Sequence, residues 1–244
     1  MVDTSTAISV EGASKHFRLR HTHSLKESLV WATQRRPRHH DFLALAPLDL
    51  EVSRGESVAL LGRNGSGKST LLKLVAGVMT PDTGRVRVRG RLAGLLEVGA
   101  GFHPDLTGRE NVHLNGSILG MLPEQIEARF DEIVEFADIG PFLDTQVRFY
   151  SSGMFLRLAF AVAVHTDPDV FLVDEILAVG DEAFRDKCLR HIEQLSGEGR
   201  TLVVVSHDLD LMERLCVRGV VLDGGRVVVD GPVREAVHHL RVSL

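Results

Sequence analysis

The chain has little with which to cross a membrane, hold a metal by sulfur or lock itself with disulfides. Its 244 residues include two cysteines, Cys188 and Cys216, far apart and in no metal or redox spacing. They read as buried free thiols of a reducing compartment. The apolar runs Leu158–Val164 and Val170–Val173 fall well short of the ~18 residues of a membrane span. Arg157 precedes the first run, and Asp174 and Glu175 close the second. The N-terminus is polar and lacks the apolar segment of a signal peptide. Excess positive charge is missing too: the net charge is −5, so bulk electrostatic binding to nucleic acid is not expected. Lysine is scarce, at positions 15, 26, 68, 73 and 187, and arginine supplies the rest of the basic residues. Internal repeats and low-complexity tracts are absent. What remains is a chain 44% hydrophobic, of a size for one large domain or a domain with a subdomain.

Against that background one stretch stands out. Ser57–Leu61 is an apolar run of strand type, and Leu71–Val75 is a helical pattern. Between them lies Gly62-Arg63-Asn64-Gly65-Ser66-Gly67-Lys68-Ser69-Thr70. The spacing G-x-x-x-x-G-K-S between strand and helix is that of a phosphate-binding loop. Glycines let backbone N–H groups converge on an anion because no Cβ blocks the approach. The helix that follows aims its positive end at the same point. Lys68 can reach β- and γ-phosphates, and the Ser69 hydroxyl can ligate Mg²⁺.

Taken in order, residues 7–19 read as a strand, a turn and then Lys15-His16-Phe17-Arg18-Leu19. Phe17 is either a core residue or a surface on which a base could stack. Residues 20–41 differ in character. Ser24–Glu27 is a capping-box pattern, Leu25, Leu29 and Ala32 recur at helical spacing beside Trp31, and Arg35-Arg36-Pro37-Arg38 follows. Such a helix suits a membrane interface or packs one face on its own domain. Strands resume over 42–62, with a turn at Ser53–Gly55. Thr80–Gly84 is a second turn, before the half-exposed alternation Arg85–Arg89. Leu92–Val98 is a further apolar segment, leading to a loop at Gly99–Pro104. From Thr107 to His165 the pattern turns helical. Pro123 opens a helix with Ile126, Phe130, Ile133, Val134 and Ala137 on one face, and Gly140-Pro141 closes it. Val170–Val173 and Thr201–Val205 are buried-strand runs with a helix, Glu182–Leu195, between them. Gly219–Leu222 and Arg226–Val229 flank Asp223–Gly225 as a hairpin, and a short helix follows Pro232. The expectation is an α/β core with a helical subdomain inserted over about 99–165.

Three strand runs end in candidate polar groups: the loop at Gly62, Asp174-Glu175, and His207. In an open parallel sheet, ligands sit beyond the carboxyl ends of the strands, so these three sites should meet at one nucleotide. Asp174 suits a Mg²⁺ ligand and Glu175 a general base acting on water; a solvated acidic turn is the plainer alternative. His207 could position that water or be merely structural.

Gly62–Thr70, Ser151-Ser152-Gly153, Asp174-Glu175, Leu177–Asp181 and His207 resemble, in order and spacing, the ABC ATPases, from about residue 7 onward. The resemblance implies a RecA-like P-loop core with an antiparallel β subdomain, all within one nucleotide-binding domain over 1–244. It also implies a homodimer in which each ATP lies between the P-loop of one copy and Ser152-Gly153 of the other. It places Phe17 against adenine and Asp181 in a loop that contacts the partner. Two departures are visible. The signature, usually Leu-Ser-Gly-Gly-Gln, is Tyr150-Ser-Ser-Gly-Met154, and Glu97 stands near where a glutamine is usual, as a possible Mg²⁺ ligand. With the 20–41 insert, these departures resemble the polysaccharide-exporter branch, for O-antigen, teichoic acid or galactan. That branch implies ATP hydrolysis coupled to export of a lipid-linked polysaccharide through integral-membrane permease subunits. It also implies a peripheral position on the cytoplasmic face of a bacterial inner membrane and no nucleic-acid partner. Members with a C-terminal carbohydrate-binding domain are longer, and none is expected here. The rival expectations are an importer or drug-exporter ATPase, and a soluble ABC ATPase of DNA repair or translation.

Overall fold

A computed structural model describes residues 5–20, 39–94, 99, 101–174 and 181–243. Two sheets carry the architecture. Strands β1 (Thr6–Arg20), β2 (His39–Ser53) and β4 (Thr83–Val88) form an antiparallel sheet in the order β2-β1-β4. The second sheet has the order β5-β6-β7-β3-β8-β9. In it β5 (Leu92–Gly94), β6 (Val170–Val173), β7 (Thr201–Val204), β3 (Ser57–Leu61) and β8 (Arg218–Asp223) run parallel, and β9 (Arg226–Pro232) is antiparallel to β8. β3, β6 and β7 are buried at every position, as continuous apolar runs must be when both faces of a sheet are covered. Alternate residues point to opposite faces. Val58 and Leu60 join a core with the first helix, α1 (Lys68–Val75), and the antiparallel sheet. Ala59 and Leu61 join the helical core on the other face.

That helical core draws on α2 (Gly108–Ile118), α3 (Pro123–Ala137), α4 (Ser152–Val164), α5 (Glu182–Gly197), α6 (Leu209–Leu215) and α7 (Val233–Ser243). Their starts follow from local chemistry. Thr107 and Glu110 form a capping box on α2, with Pro123 in the first turn of α3. Asp181 and Asp208 accept from the backbone N–H of Phe184 and Leu211 at the starts of α5 and α6. Such side chains satisfy donors that the helix itself leaves unpaired.

Several expectations need correction. The turn within 7–19 is a bulge at Gly12 (φ 57°) in one continuous strand. β4 begins at Thr83, so the turn after α1 is shorter than Thr80–Gly84. Helix α3 ends at Asp138, in the left-handed region (φ 53°), and Gly140–Phe142 forms a 3₁₀ turn of its own. The buried face of α3 includes Phe136, while Val134 is only half-buried. Helix α6, seven residues long, was not anticipated. The insert expected over 20–41 is bounded by strands, since Arg20 belongs to β1 and 39–41 to β2. Its helix, with Leu25, Leu29, Trp31, Arg35, Arg36 and Arg38, lies outside the described residues.

Phe136 of α3 packs edge-on against both His165, at the end of α4, and His191 of α5, and the two imidazoles lie 5.4 Å apart. His165 Nδ1 is 2.7 Å from the carbonyl of Ala161, and His191 Nε2 is buried without a partner. Burial holds both below the ordinary histidine value of 6.5; Glu132 and Arg129 of α3 also face His165, and Glu198 faces His191. The unfolded chain therefore binds protons more readily than the native one, and stability falls as pH drops below about 6.5. The melting temperature should decline between pH 7.5 and 5.5. A His165→Gln/His191→Gln chain should lose most of that slope, and an undiminished slope would place its origin elsewhere.

Candidate active site

The loop after β3 owes its path to glycines. At Gly62 (φ 142°) a Cβ would lie 2.2 Å from the Leu222 carbonyl oxygen and 2.6 Å from Ser66 Oγ. At Gly67 (φ 109°) it would lie 2.7 Å from Leu45 Cδ2 and 2.8 Å from the Ala44 oxygen. No other residue fits either position without displacing backbone. α1 begins at Lys68, whose Nζ donates to the carbonyls of Gly62 at 2.7 Å and Arg63 at 2.9 Å. The ammonium thus spans the loop from within. Burial lowers its pKa, and the nearby Asp174 opposes that shift. Asp174, just beyond β6, is raised by burial and drawn back by Lys73 and Lys68. Ser69 is exposed, and it lines a cavity of about 380 Å³ together with the other residues of Asn64–Thr70 and with Phe42, Ala44, Val205 and His207.

Two backbone hydrogen bonds tie this loop to the antiparallel sheet. The Gly225 N–H donates to the Ser66 oxygen at 3.0 Å, and the Ala46 N–H donates to the Gly225 oxygen at 2.9 Å. The turn between β8 and β9 therefore clasps the loop on one side and β2 on the other. Gly225 (φ 75°) sits so close that a Cβ would be 2.7 Å from the Ala44 oxygen.

The expected site residues divide into groups. Asn64–Thr70 and His207 meet at the cavity, and Gly62 and Arg63 shape the loop and receive Lys68. Asp174 lies within electrostatic reach of Lys68. Ser152 and Gly153 do not line that cavity; they open α4, where the Ser151 hydroxyl accepts from the Met154 N–H at 3.2 Å. Asp181 receives Arg157 of α4 at 2.5 Å, and Arg157 also reaches Asp138 and covers the Phe184 ring at 5.0 Å. Glu97 and Glu175 lie outside the described residues. Phe17 is half-buried and does not line the cavity, whereas its direct partner across the β1–β2 pair, Phe42, does. Four consecutive apolar residues, Phe42-Leu43-Ala44-Leu45, gave no such signal, and a register shift falls at Ala44. Which strand partner Phe42 meets, however, depends on register.

A strand, a glycine loop and a helix around a lysine, with an acidic and an imidazole group at neighbouring strand ends, is what the P-loop expectation required. Residues 45–178 match the family described as ABC transporter. The chain belongs to that family. It is 44% identical to the O-antigen export system ATP-binding protein RfbB of Myxococcus xanthus, over all of this chain and 57% of the relative. It is 46% identical to an O-antigen export system ATP-binding protein RfbB of Klebsiella pneumoniae, over 76% of each. The teichoic acids export ATP-binding protein TagH of Levilactobacillus brevis is 40% identical, over 98% of this chain and 66% of the relative. The chain thus spans 57% to 76% of the length of these relatives. Among solved structures, an ATP binding subunit of an ABC transporter superposes with TM-score 0.76 at 23% identity, over 97% of this chain and 95% of the other. A dimeric ATP-binding cassette in a post-hydrolysis state gives 0.73 at 22%, over 93% and 99%. The ABC ATPase fold anticipated from the motifs is therefore the fold of this chain.

The clasp in this ABC cassette is testable by stability. Gly224 (φ 52°) has open space where its Cβ would go, whereas Gly225 does not. Gly224→Ala meets backbone strain alone, roughly 1 kcal/mol, and Gly225→Ala adds a collision with β2, for roughly 2–4 kcal/mol in all. Denaturant unfolding should rank them in that order; equal losses would contradict the clasp.

Proposed function

We propose that this chain is the ATP-hydrolysing subunit of an ABC exporter that moves a lipid-linked polysaccharide across a bacterial cytoplasmic membrane. The observation that carries the reading is the cavity that gathers Asn64–Thr70 and His207 in a chain whose relatives are named for O-antigen and teichoic acid export. The converging N–H groups of the loop and the positive end of α1 bind the triphosphate. Lys68 exchanges its two loop carbonyls for phosphate oxygens. Ser69, Asp174 and Glu97 are the residues that would hold Mg²⁺. An exposed hydroxyl lining the cavity and a carboxylate within charge reach of Lys68 are oxygen donors of the kind such a hard cation takes. When bound, the ion offsets phosphate charge. Glu175 takes the proton of the attacking water, and His207, on the cavity wall, orients that water.

Ser152 and Gly153 stand apart from the cavity of their own chain. This supports a head-to-tail homodimer in which α4 of a second copy turns its N-terminal donors to the γ-phosphate. Among the described residues no helix is long and apolar enough to cross a membrane, so in this reading separate integral-membrane subunits form the pore. Arg35, Arg36 and Arg38 of the segment between β1 and β2 would face the lipid pyrophosphate and its sugars there, with forked donors to phosphate.

Two variants test the chemistry. Glu175→Gln should retain ATP binding and lose hydrolysis by about 10²–10⁴-fold, with a shift to dimer in sedimentation on adding Mg-ATP. Turnover within threefold of wild type would remove Glu175 from the role of base. Lys68→Ala should instead weaken nucleotide binding itself, and an unchanged affinity would contradict the cradle.

A further inference from the structure

A second cavity, of about 190 Å³, lies at the opposite end of the main sheet from the phosphate loop. The turn before β3, the residue after β4, the segment before β6 and the connection from α5 to β7 enclose it. Ligands of open parallel sheets sit at the carboxyl ends of the strands, so this cavity stands apart from the nucleotide site. It is smaller than the ~300–1,000 Å³ of sites for larger ligands. Apart from Ala7 and two glycines, every lining side chain is polar. Arg54, Arg89 and Arg200 gather there, against a net charge of −5 for the whole chain. Arg85 and Arg87, on the neighbouring strand β4, are both spent on Glu11. Arg200 reaches Asp167 and Asp169, and Arg89 has an interaction of its own. The exposed Arg54 side chain makes no ion pair or hydrogen bond among the described residues.

Thr201, which also lines the cavity, is 2% exposed. Its Oγ1 accepts the Gly55 N–H at 3.0 Å, and its own proton meets no acceptor among the described residues. Two carboxylates stand beside the guanidinium groups. One oxygen of Glu198 accepts from Gln194 Nε2 at 2.8 Å, and Asp169 Oδ2 accepts from the Arg91 N–H at 2.7 Å, so each acid keeps a second oxygen as an acceptor. A bare polyanion would be drawn by the arginines and repelled by these acids. A molecule with a phosphate at one end and hydroxyl groups at the other suits both. Forked N–H donors match phosphate oxygens, and carboxylates accept from hydroxyls. We propose that this cavity binds the phosphate monoester of a small polyhydroxylated molecule, of the size of a hexose phosphate. Arg54 grips the phosphate, with Arg89 and Arg200 adding positive charge, and Thr201 donates to it. Glu198 and Asp169 accept from the hydroxyl groups. The strands that begin here, β3 and β7, end at the phosphate loop and near His207. The ligand thus sits at the far end of the strands that carry the nucleotide site.

Glucose 6-phosphate, glucose and inorganic phosphate separate the parts of such a ligand. Calorimetric titration of the whole chain should show glucose 6-phosphate bound one to one, about tenfold or more tighter than either glucose or inorganic phosphate. The non-hydrolysable imido analogue of ATP, with Mg²⁺, should not displace it. Arg54→Ala should weaken glucose 6-phosphate by about tenfold or more, the size of effect of losing a charge-assisted hydrogen bond. Arg54→Lys, which keeps the charge and loses the fork, should cost less. Arg234→Ala, at an exposed arginine of α7, should cost nothing. No binding of glucose 6-phosphate, its displacement by the imido analogue, or an affinity within about twofold of wild type in Arg54→Ala would overturn the site. Inorganic phosphate bound as tightly as the ester would overturn the hydroxylated ligand. If the imido analogue binds nowhere, the nucleotide reading falls, and the Arg54→Ala comparison alone decides this site.

Discussion

Backbone N–H groups can surround an anion only where no Cβ stands in the way. In this chain that steric condition governs more than one loop. Gly62 and Gly67 satisfy it within the phosphate loop, and the space they leave free is filled by the carbonyl of Leu222 and the backbone of β2. Gly225 repeats the condition from outside, bonding to Ser66 on one side and Ala46 on the other. The main sheet, the hairpin β8–β9 and the antiparallel sheet therefore meet at backbone contacts that no larger residue could make. Lys68 is held inside this arrangement by two carbonyls of the same loop.

The two faces of the main sheet separate two tasks. One face packs α1 and the antiparallel sheet, which together form the cavity and its apolar wall. The other face packs the helices, among them α4 with the Ser151–Gly153 signature at its start. Arg157 links that helix to Asp181 at the start of α5 and to Asp138 at the end of α3. It lies mostly covered, over the Phe184 ring. A charge shared between two helix ends in this way ties the middle of α4 to the start of α5 and the end of α3. The start of α4 and the phosphate loop thus belong to opposite layers of one chain.

The mixed chemistry of the helical block has its own logic. Asn111, fully buried, accepts from the N–H of His103 and donates to the carbonyls of His103, Leu106 and Thr107. The amide thereby pairs the His103 N–H and adds a second donor to three carbonyls that each already accept a backbone N–H. His165, buried, and His191, half-buried, sit in the same block against Phe136. Buried polar side chains here serve order at the cost of acid tolerance.

Much of this was written locally. Strand, glycine loop and helix follow from residues adjacent in sequence, so Gly62–Thr70 could be read directly, as could the buried runs at Val170–Val173 and Thr201–Val204. Pro123 announced a helix start for the same reason. Helix α6 escaped because seven residues hold too few turns for a period to show. Phe17 was set against the base by resemblance alone, since its own segment gives no account of the partner strand. Phe42 lies 25 positions away in the chain and across an insert. Only the pairing of β1 with β2, with its register shifts between Val10 and His16, and the backbone contacts at Gly67 and Gly225 put the second aromatic on the cavity wall. Residue types and short spacings determined the phosphate chemistry. Contacts between segments distant in sequence decided what surrounds it, because register and close backbone approach are properties of pairs of segments and not of either one alone.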